Sequence, residues 1–239
     1  MKRMHCERGR SVPAKKKIVS FSGIDGAGKT TQIEALTHWL LAAGLRVRLL
    51  AFWDDVAVWA RFRESLSHKA FKGDHGIGSP EKPLNRRDKN VTSGPVTATR
   101  FLLYSLDALN VWRTVRQARQ GDADVVIFDR YIYDELANLP LNRWWTRAYI
   151  RLLLRLIPAP DVAYMIDADP VAARARKPEY PLEFLRSNRE AYIAMSFLAD
   201  SVTVIEPLPV AATESKVREV FLQKSSGLEE QFSGLPEVQ

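Results

Sequence analysis

The stretch Ile18 to Gln32, IVSFSGIDGAGKTTQ, constrains this chain more than any other. Gly23, Gly28, Lys29 and Thr30 satisfy GxxxxGK[ST], and they follow the apolar run Ile18 to Phe21, which reads as a strand. Glycines let the backbone curl until several N–H groups point into one concavity, and the following helix adds the positive end of its dipole. Such a concavity binds polyphosphate. Gly23, Gly26, Gly28, Lys29, Thr30 and Thr31 are the expected cradle. Lys29 would reach the β- and γ-phosphates, and Thr30 would hold a magnesium ion bridging their oxygens, so ATP and Mg2+ are the expected cofactors. A glycine-rich turn that merely carries a lysine would not need strand, spacing, Lys-Thr pair and helix to coincide.

Composition narrows the setting. With 239 residues, 46% hydrophobic and 26% charged, the chain suits a single α/β domain with a substantial core. The lone Cys6 cannot form an internal disulfide, and His5, His38, His68 and His75 have no zinc spacing. No apolar run approaches the ~20 residues that span a bilayer, so a cytoplasmic protein is expected. The formal charge of +7 suggests nucleic acid until it is located: residues 1–17 hold seven basic side chains against Glu7. Residues 1–16 therefore read as a basic disordered arm, 17–224 as one domain and 225–239 as a flexible tail, with no nucleic-acid partner expected.

Apolar runs alternate with helical patterns, which implies a parallel sheet. Thr30 to Ala43 reads as the first helix, with Ile33, Leu36 and Leu40 on one face, and Arg46 to Phe52 as the second strand. Val56 to Ala70 looks helical, and Lys72 to Val96 reads as a long mobile loop carrying Arg86, Arg87 and Lys89. The longest helix runs from Thr97 to Gln120, stopped by Gly121, and Val125 to Phe128 is a buried strand followed at once by Asp129 and Arg130. Ligands of open α/β sheets sit at the carboxyl ends of strands, which places Asp129 beside the phosphate loop, near magnesium, and turns Arg130 toward a phosphate.

FSGIDGAGKTTQ, TRFLLY (Thr99 to Tyr104), FDRYIYD (Phe128 to Asp134), Pro160-Asp161 before the strand Val162 to Ile166, DADPVAARAR and NREAY together resemble thymidylate kinase, in order and spacing, over residues 17 to 222. The phosphate loop and the Asp-Arg-Tyr are the sharp motifs. The resemblance implies a five-stranded parallel sheet with helices on both faces. It also implies a nucleotide-binding, usually homodimeric enzyme that moves the γ-phosphoryl of ATP to thymidine monophosphate.

Matched position by position, Asp25 resembles the carboxylate that contacts the acceptor sugar, Tyr104 stands where a ring stacks on the base, and Arg130 corresponds to the arginine near the transferring phosphate. Family members without an arginine in the phosphate loop carry one in a lid. Here Gly26 and Ala27 occupy the loop, so a lid around 170–185 should supply Arg174 and Arg176, followed by Lys177. Two departures concern the acceptor: Phe52 and Ala108 stand where the family has arginines. Arg100, Arg86 or Arg87 would have to replace them, or the acceptor differs.

Two other readings stay open. Asp54 and Asp55 close the second strand where deoxynucleoside kinases carry a base for a hydroxyl acceptor, a family that Trp59 also resembles; acids decorating a helix start would look the same. A non-catalytic nucleotide sensor is the other, although no guanine-reading NKxD or DxxG motif accompanies the loop. Finally, Arg143, Arg147, Arg151 and Arg155 recur every four residues beside Trp144, Trp145, Tyr149, Leu152 and Leu156. Membrane-surface helices have this pattern over 143–157, and so do packed helices with a solvated arginine face, the reading favoured here, with no membrane partner expected.

Overall fold

Strands buried on both faces need helices above and below, and parallel strands need helical crossovers that return the chain to the same end of the sheet. The computed structural model, which describes residues 16–58 and 94–225 (side chains of the latter segment from Thr97 on), builds one five-stranded sheet in the order β2-β3-β1-β4-β5. Every neighbouring pair is parallel. The strands are β1 (Lys17–Ser22), β2 (Val47–Ala51), β3 (Val125–Asp129), β4 (Val162–Ile166) and β5 (Val202–Ile205). β1 and β4 are buried throughout, and β3 up to its last residue, whereas the edge strands β2 and β5 are partly open. The predicted five-stranded parallel α/β sheet is the observed one.

Seven α-helices are described: α1 (Lys29–Ala42), α2 (Gly94–Gln120), α3 (Ile132–Leu136), α4 (Trp144–Leu156), α5 (Pro170–Arg176), α6 (Leu182–Ser196) and α7 (Val210–Lys224). Ile33, Leu36 and Leu40 of α1 face the sheet as their spacing predicts. Trp39 of the same helix meets Phe221 of α7 edge-on, with centroids 6.0 Å apart. Central to the core are Phe21 of β1 and Tyr164 of β4, whose rings stack at 4.7 Å.

Several boundaries differ from the sequence reading, three of them in ways that bear on the site. The second strand stops at Ala51 because Phe52–Val56 form a single π-helical turn, in which Asp55 Oδ2 accepts the Ala51 N–H at 2.7 Å. The acid at that strand end thus satisfies a backbone donor. α2 starts at Gly94, so it takes up the end of the segment read as loop, and it stops at Gly121 as expected. β3 includes Asp129. The helix expected from Val56 to Ala70, beyond Val58, Trp59, the loop with Arg86, Arg87 and Lys89, the basic arm through Lys15 and the tail after Ser225 lie outside the described residues.

Candidate active site

The register of β1 against β3 brings Phe21 beside Asp129, so the loop leaving β1 and the residues leaving β3 meet at one end of the sheet. Asp25, Gly26, Gly28, Lys29, Thr30, Thr31, Asp129, Arg130, Arg176 and Lys177 line one hollow there, of about 390 Å³. It unites the predicted cradle apart from Gly23, Asp129 at the end of β3 with Arg130 after it, and part of the predicted lid.

Two glycines are required by close approach. Gly23 (φ 140°) lies against the Ile166 carbonyl at the end of β4, and Gly26 (φ 80°) against the Ala173 carbonyl of α5; a Cβ on either would collide with that backbone oxygen. Through Gly26 the helix bearing Arg176 rests directly on the phosphate loop. Gly26→Ala is therefore expected to push α5 outward and reduce turnover, by about tenfold or more if Arg176 meets the transferring group. Steady-state kinetics checks this, with nucleotide binding measured alongside.

Lys29 is the second expectation to acquire geometry. Its ammonium donates to the Gly23 and Ile24 carbonyls, each at 2.9 Å, and the side chain is buried. Burial, followed by the nearby Arg130 guanidinium, lowers its pKa from 10.5 to about 8, against the pull of Asp25, Asp134 and Asp129. The unfolded chain thus binds more protons between about pH 8 and 10.5. The cost of burying the charge is fully present below that window and is relieved as pH rises through it. Polyphosphate needs the charged form, so ATP affinity should run the opposite way, weakening about fivefold from pH 8 to 9 as the ammonium is lost. Titration calorimetry across that range reads it, and Lys29→Met should flatten the dependence.

Arg130 lies at the hub of a network that the sequence reading did not find. It is the non-glycine residue with a positive φ (70°) among those described, and its N–H donates to the Phe21 carbonyl at 2.9 Å. That turn carries its guanidinium to Asp25, Asp134 (2.9 Å) and the Tyr192 hydroxyl (3.4 Å). Burial opposes its charge, but Tyr192, Asp134, Asp25 and Asp129 outweigh burial and hold its pKa well above the ordinary value. Asp134 is itself 5% exposed and takes three further donors: Ser22 Oγ at 2.6 Å, the Tyr192 hydroxyl at 2.7 Å and the Tyr131 N–H at 3.2 Å. Burial and then the Asp134 charge push the Tyr192 phenol well up, which keeps it a donor. The spacing of Arg130 and Asp134, four residues apart, was the available signal; Tyr192 had none beyond its place in NREAY.

A second clamp fixes the segment before α5. Arg189 of α6 grips Asp167 with two hydrogen bonds, 2.7 and 2.6 Å, and Asp169 caps α5 through the Ala172 N–H at 2.9 Å. Arg176 and Lys177 reach the hollow, whereas Arg174 is half-buried and absent from its lining. Tyr104 and Arg100 also stand outside that lining: Tyr104 is buried in the core, and Arg100 donates to the Asn138 carbonyl at 3.1 Å. The positions read as arginine losses are filled by buried apolar side chains, Phe52 at 1% and Ala108 at 4% exposure.

Hard oxygen donors are available for a magnesium ion. The Thr30 hydroxyl is exposed and Asp129 is half-buried at the same hollow, a set that suits a cation holding few protein ligands beside water and phosphate. No three His, Cys, Asp or Glu side chains cluster as a metal cage among the described residues.

No family model matches the sequence. The chain is 32% identical over 163 residues to thymidylate kinase of Bifidobacterium longum (strain DJO10A), covering 66% of this chain and 70% of that protein. Two solved structures share the fold. Thymidylate kinase from Ehrlichia chaffeensis superposes with a TM-score of 0.53 at 18% identity, over 86% of this chain and 98% of that one. The enzyme from Candida albicans gives 0.57 at 15%, over 95% and 99%. A phosphate loop on the central strand, an Asp-Arg pair ending its neighbour and a relative this similar over most of its length carry one conclusion: the chain belongs to the thymidylate kinase family.

Proposed function

We propose that this protein transfers the γ-phosphoryl group of ATP to a nucleoside monophosphate, with thymidine monophosphate as the first acceptor to test because the relatives carry that name. The observation that carries the reading is the convergence of Lys29, Arg130, Arg176 and Lys177 on one hollow at the mouth of the phosphate loop. Phosphoryl transfer spreads charge over the equatorial oxygens, so positioned cations supply most of the catalysis. A phosphate acceptor is already an anion and needs no general base. Thr30 and Asp129 would hold a magnesium ion, which would supply positive charge to neutralise the phosphates.

In this scheme Lys29 binds the phosphates and Arg176 with Lys177 meets charge that grows during transfer. Arg130, fixed by Asp25 and Asp134, presents a rigid positive edge and aligns Asp25 near the acceptor sugar. Arg176→Ala should lower kcat about tenfold to a hundredfold with a modest change in KM for ATP, whereas Arg174→Ala should do much less. Equal effects of the two would return Arg174 to the site.

Phe52 and Ala108 stand where the family resemblance implies two arginines that hold the acceptor, and each unpaired polar contact costs about 1–3 kcal/mol. Weak use of thymidine monophosphate, or preference for another phosphorylated acceptor, is expected. Asp54, exposed at the carboxyl end of β2, favours a hydroxyl acceptor as the second reading. Coupled measurement of ADP release against a panel of nucleoside monophosphates and nucleosides separates them. Turnover with nucleosides alone would overturn the proposal.

A further inference from the structure

The outer face of α4 exposes two parallel rows. Arg143, Arg147, Arg151 and Arg155 recur at four-residue spacing, and one position on run Trp144, Ala148, Leu152 and Leu156, all exposed. Trp144 is 79% exposed, Leu152 56% and Leu156 65%. The inward face is separately satisfied. Thr146, Ile150 and Leu153 are buried, and Tyr149 stacks on Phe101 of α2 at 4.0 Å. The sequence reading favoured a packed helix with a solvated arginine face; the structure packs Trp145 and Tyr149 but leaves Trp144, Leu152 and Leu156 outside.

We infer that this face of α4 docks on an anionic lipid surface. No Asp or Glu occurs between Pro140 and Pro160, so the rows present charge of one sign only. A second copy meeting this face about a two-fold axis would set arginine against arginine. Nucleic acid would answer the charge but give the leucines nothing to bury against. An anionic bilayer answers both rows: lipid headgroups take the guanidinium groups, the leucines enter the acyl boundary, and the tryptophan lies at the interface between them. The helix, about 20 Å long, would lie flat and stay folded on the domain. No helix of the described residues is long and apolar enough to cross a membrane, so the contact is peripheral.

Sedimentation of the full chain with vesicles of equimolar phosphatidylglycerol and phosphatidylcholine, beside phosphatidylcholine alone, tests the inference. Arg151 and Arg155 hold no partner among the described residues, so Arg151→Gln/Arg155→Gln should keep the fold, checked by an unchanged melting temperature. Binding should be confined to the anionic vesicles, fall with salt, and weaken about 25-fold in that double variant at roughly fivefold per arginine. Leu152→Ser/Leu156→Ser should weaken it about tenfold or more while the basic arm is intact. Equal binding to neutral vesicles overturns the inference, as does no binding at all. Anionic binding that both variants retain would assign it to the N-terminal arm and also overturn it. Self-association that the leucine variant abolishes, without vesicle binding, would identify a second copy as the occupant instead.

Discussion

Lys29→Met is expected to lower kcat/KM by about 10²–10³-fold while the folded protein melts near the wild-type temperature. The activity loss follows from chemistry that no other side chain repeats: Lys29 springs from the loop itself, at the N-terminus of α1, with its ammonium held by the Gly23 and Ile24 carbonyls. Stability should change little because two effects oppose each other. The variant takes the ammonium donor from the Gly23 carbonyl and leaves the Ile24 carbonyl with the Ala27 N–H, but it also removes an ammonium whose burial is unfavourable enough to lower its pKa to about 8. Initial-rate kinetics with a thermal melt reads both quantities. A large drop in melting temperature with proportionate loss of activity would make Lys29 a structural residue.

Asp134→Ala should be the more damaging change to the fold, at about 3–5 kcal/mol, because it removes one partner from a buried charge network and leaves the others in place. Arg130 would keep only Asp25 as a carboxylate partner, and Ser22 Oγ and the Tyr192 hydroxyl would lose the acceptor they share. The corresponding fall in Tm is roughly 6–20 °C for a domain of this size. Asp124 provides the control. Its pair with Arg46 is bidentate yet open to solvent, with Arg46 exposed and Asp124 half-buried, so Asp124→Ala should cost only about 0–1 kcal/mol. Denaturant titration of the two variants compares a buried acid with a half-buried one. Equal, small losses would mean that Asp25 alone holds Arg130.

What was legible in the sequence was whatever local periodicity or a fixed spacing encodes. Val125 to Phe128 and Val162 to Ile166 are short continuous apolar runs between turns, Ile18 to Phe21 is one broken only by Ser20, and a strand buried on both faces leaves that trace. The phosphate loop was equally plain, since its glycines, lysine and threonine act at fixed offsets on one turn. The π turn at Phe52–Val56 left no such trace: there the Ala51 N–H finds Asp55 four residues on, a local contact that no hydrophobic period marks. Arg174 and Arg176 illustrate a different limit. Residues two apart on a helix point about 200° away from each other, so only one could meet the hollow, and spacing alone did not say which. The links from Asp134 to Ser22 and Tyr192 join positions 112 and 58 residues apart, which one sequence cannot reveal.

Transfer itself is the central claim, and 31P NMR of the protein with MgATP and thymidine monophosphate follows it directly. The β-phosphate signal of a new nucleoside diphosphate should grow in step with ADP, slowly for this acceptor given Phe52 and Ala108, faster for a better-fitting monophosphate, and about 10²–10³-fold more slowly in Lys29→Met. ATP that binds yet yields no acceptor-dependent ADP with any nucleoside monophosphate would contradict the account and leave a nucleotide-binding protein that does not transfer phosphate to one.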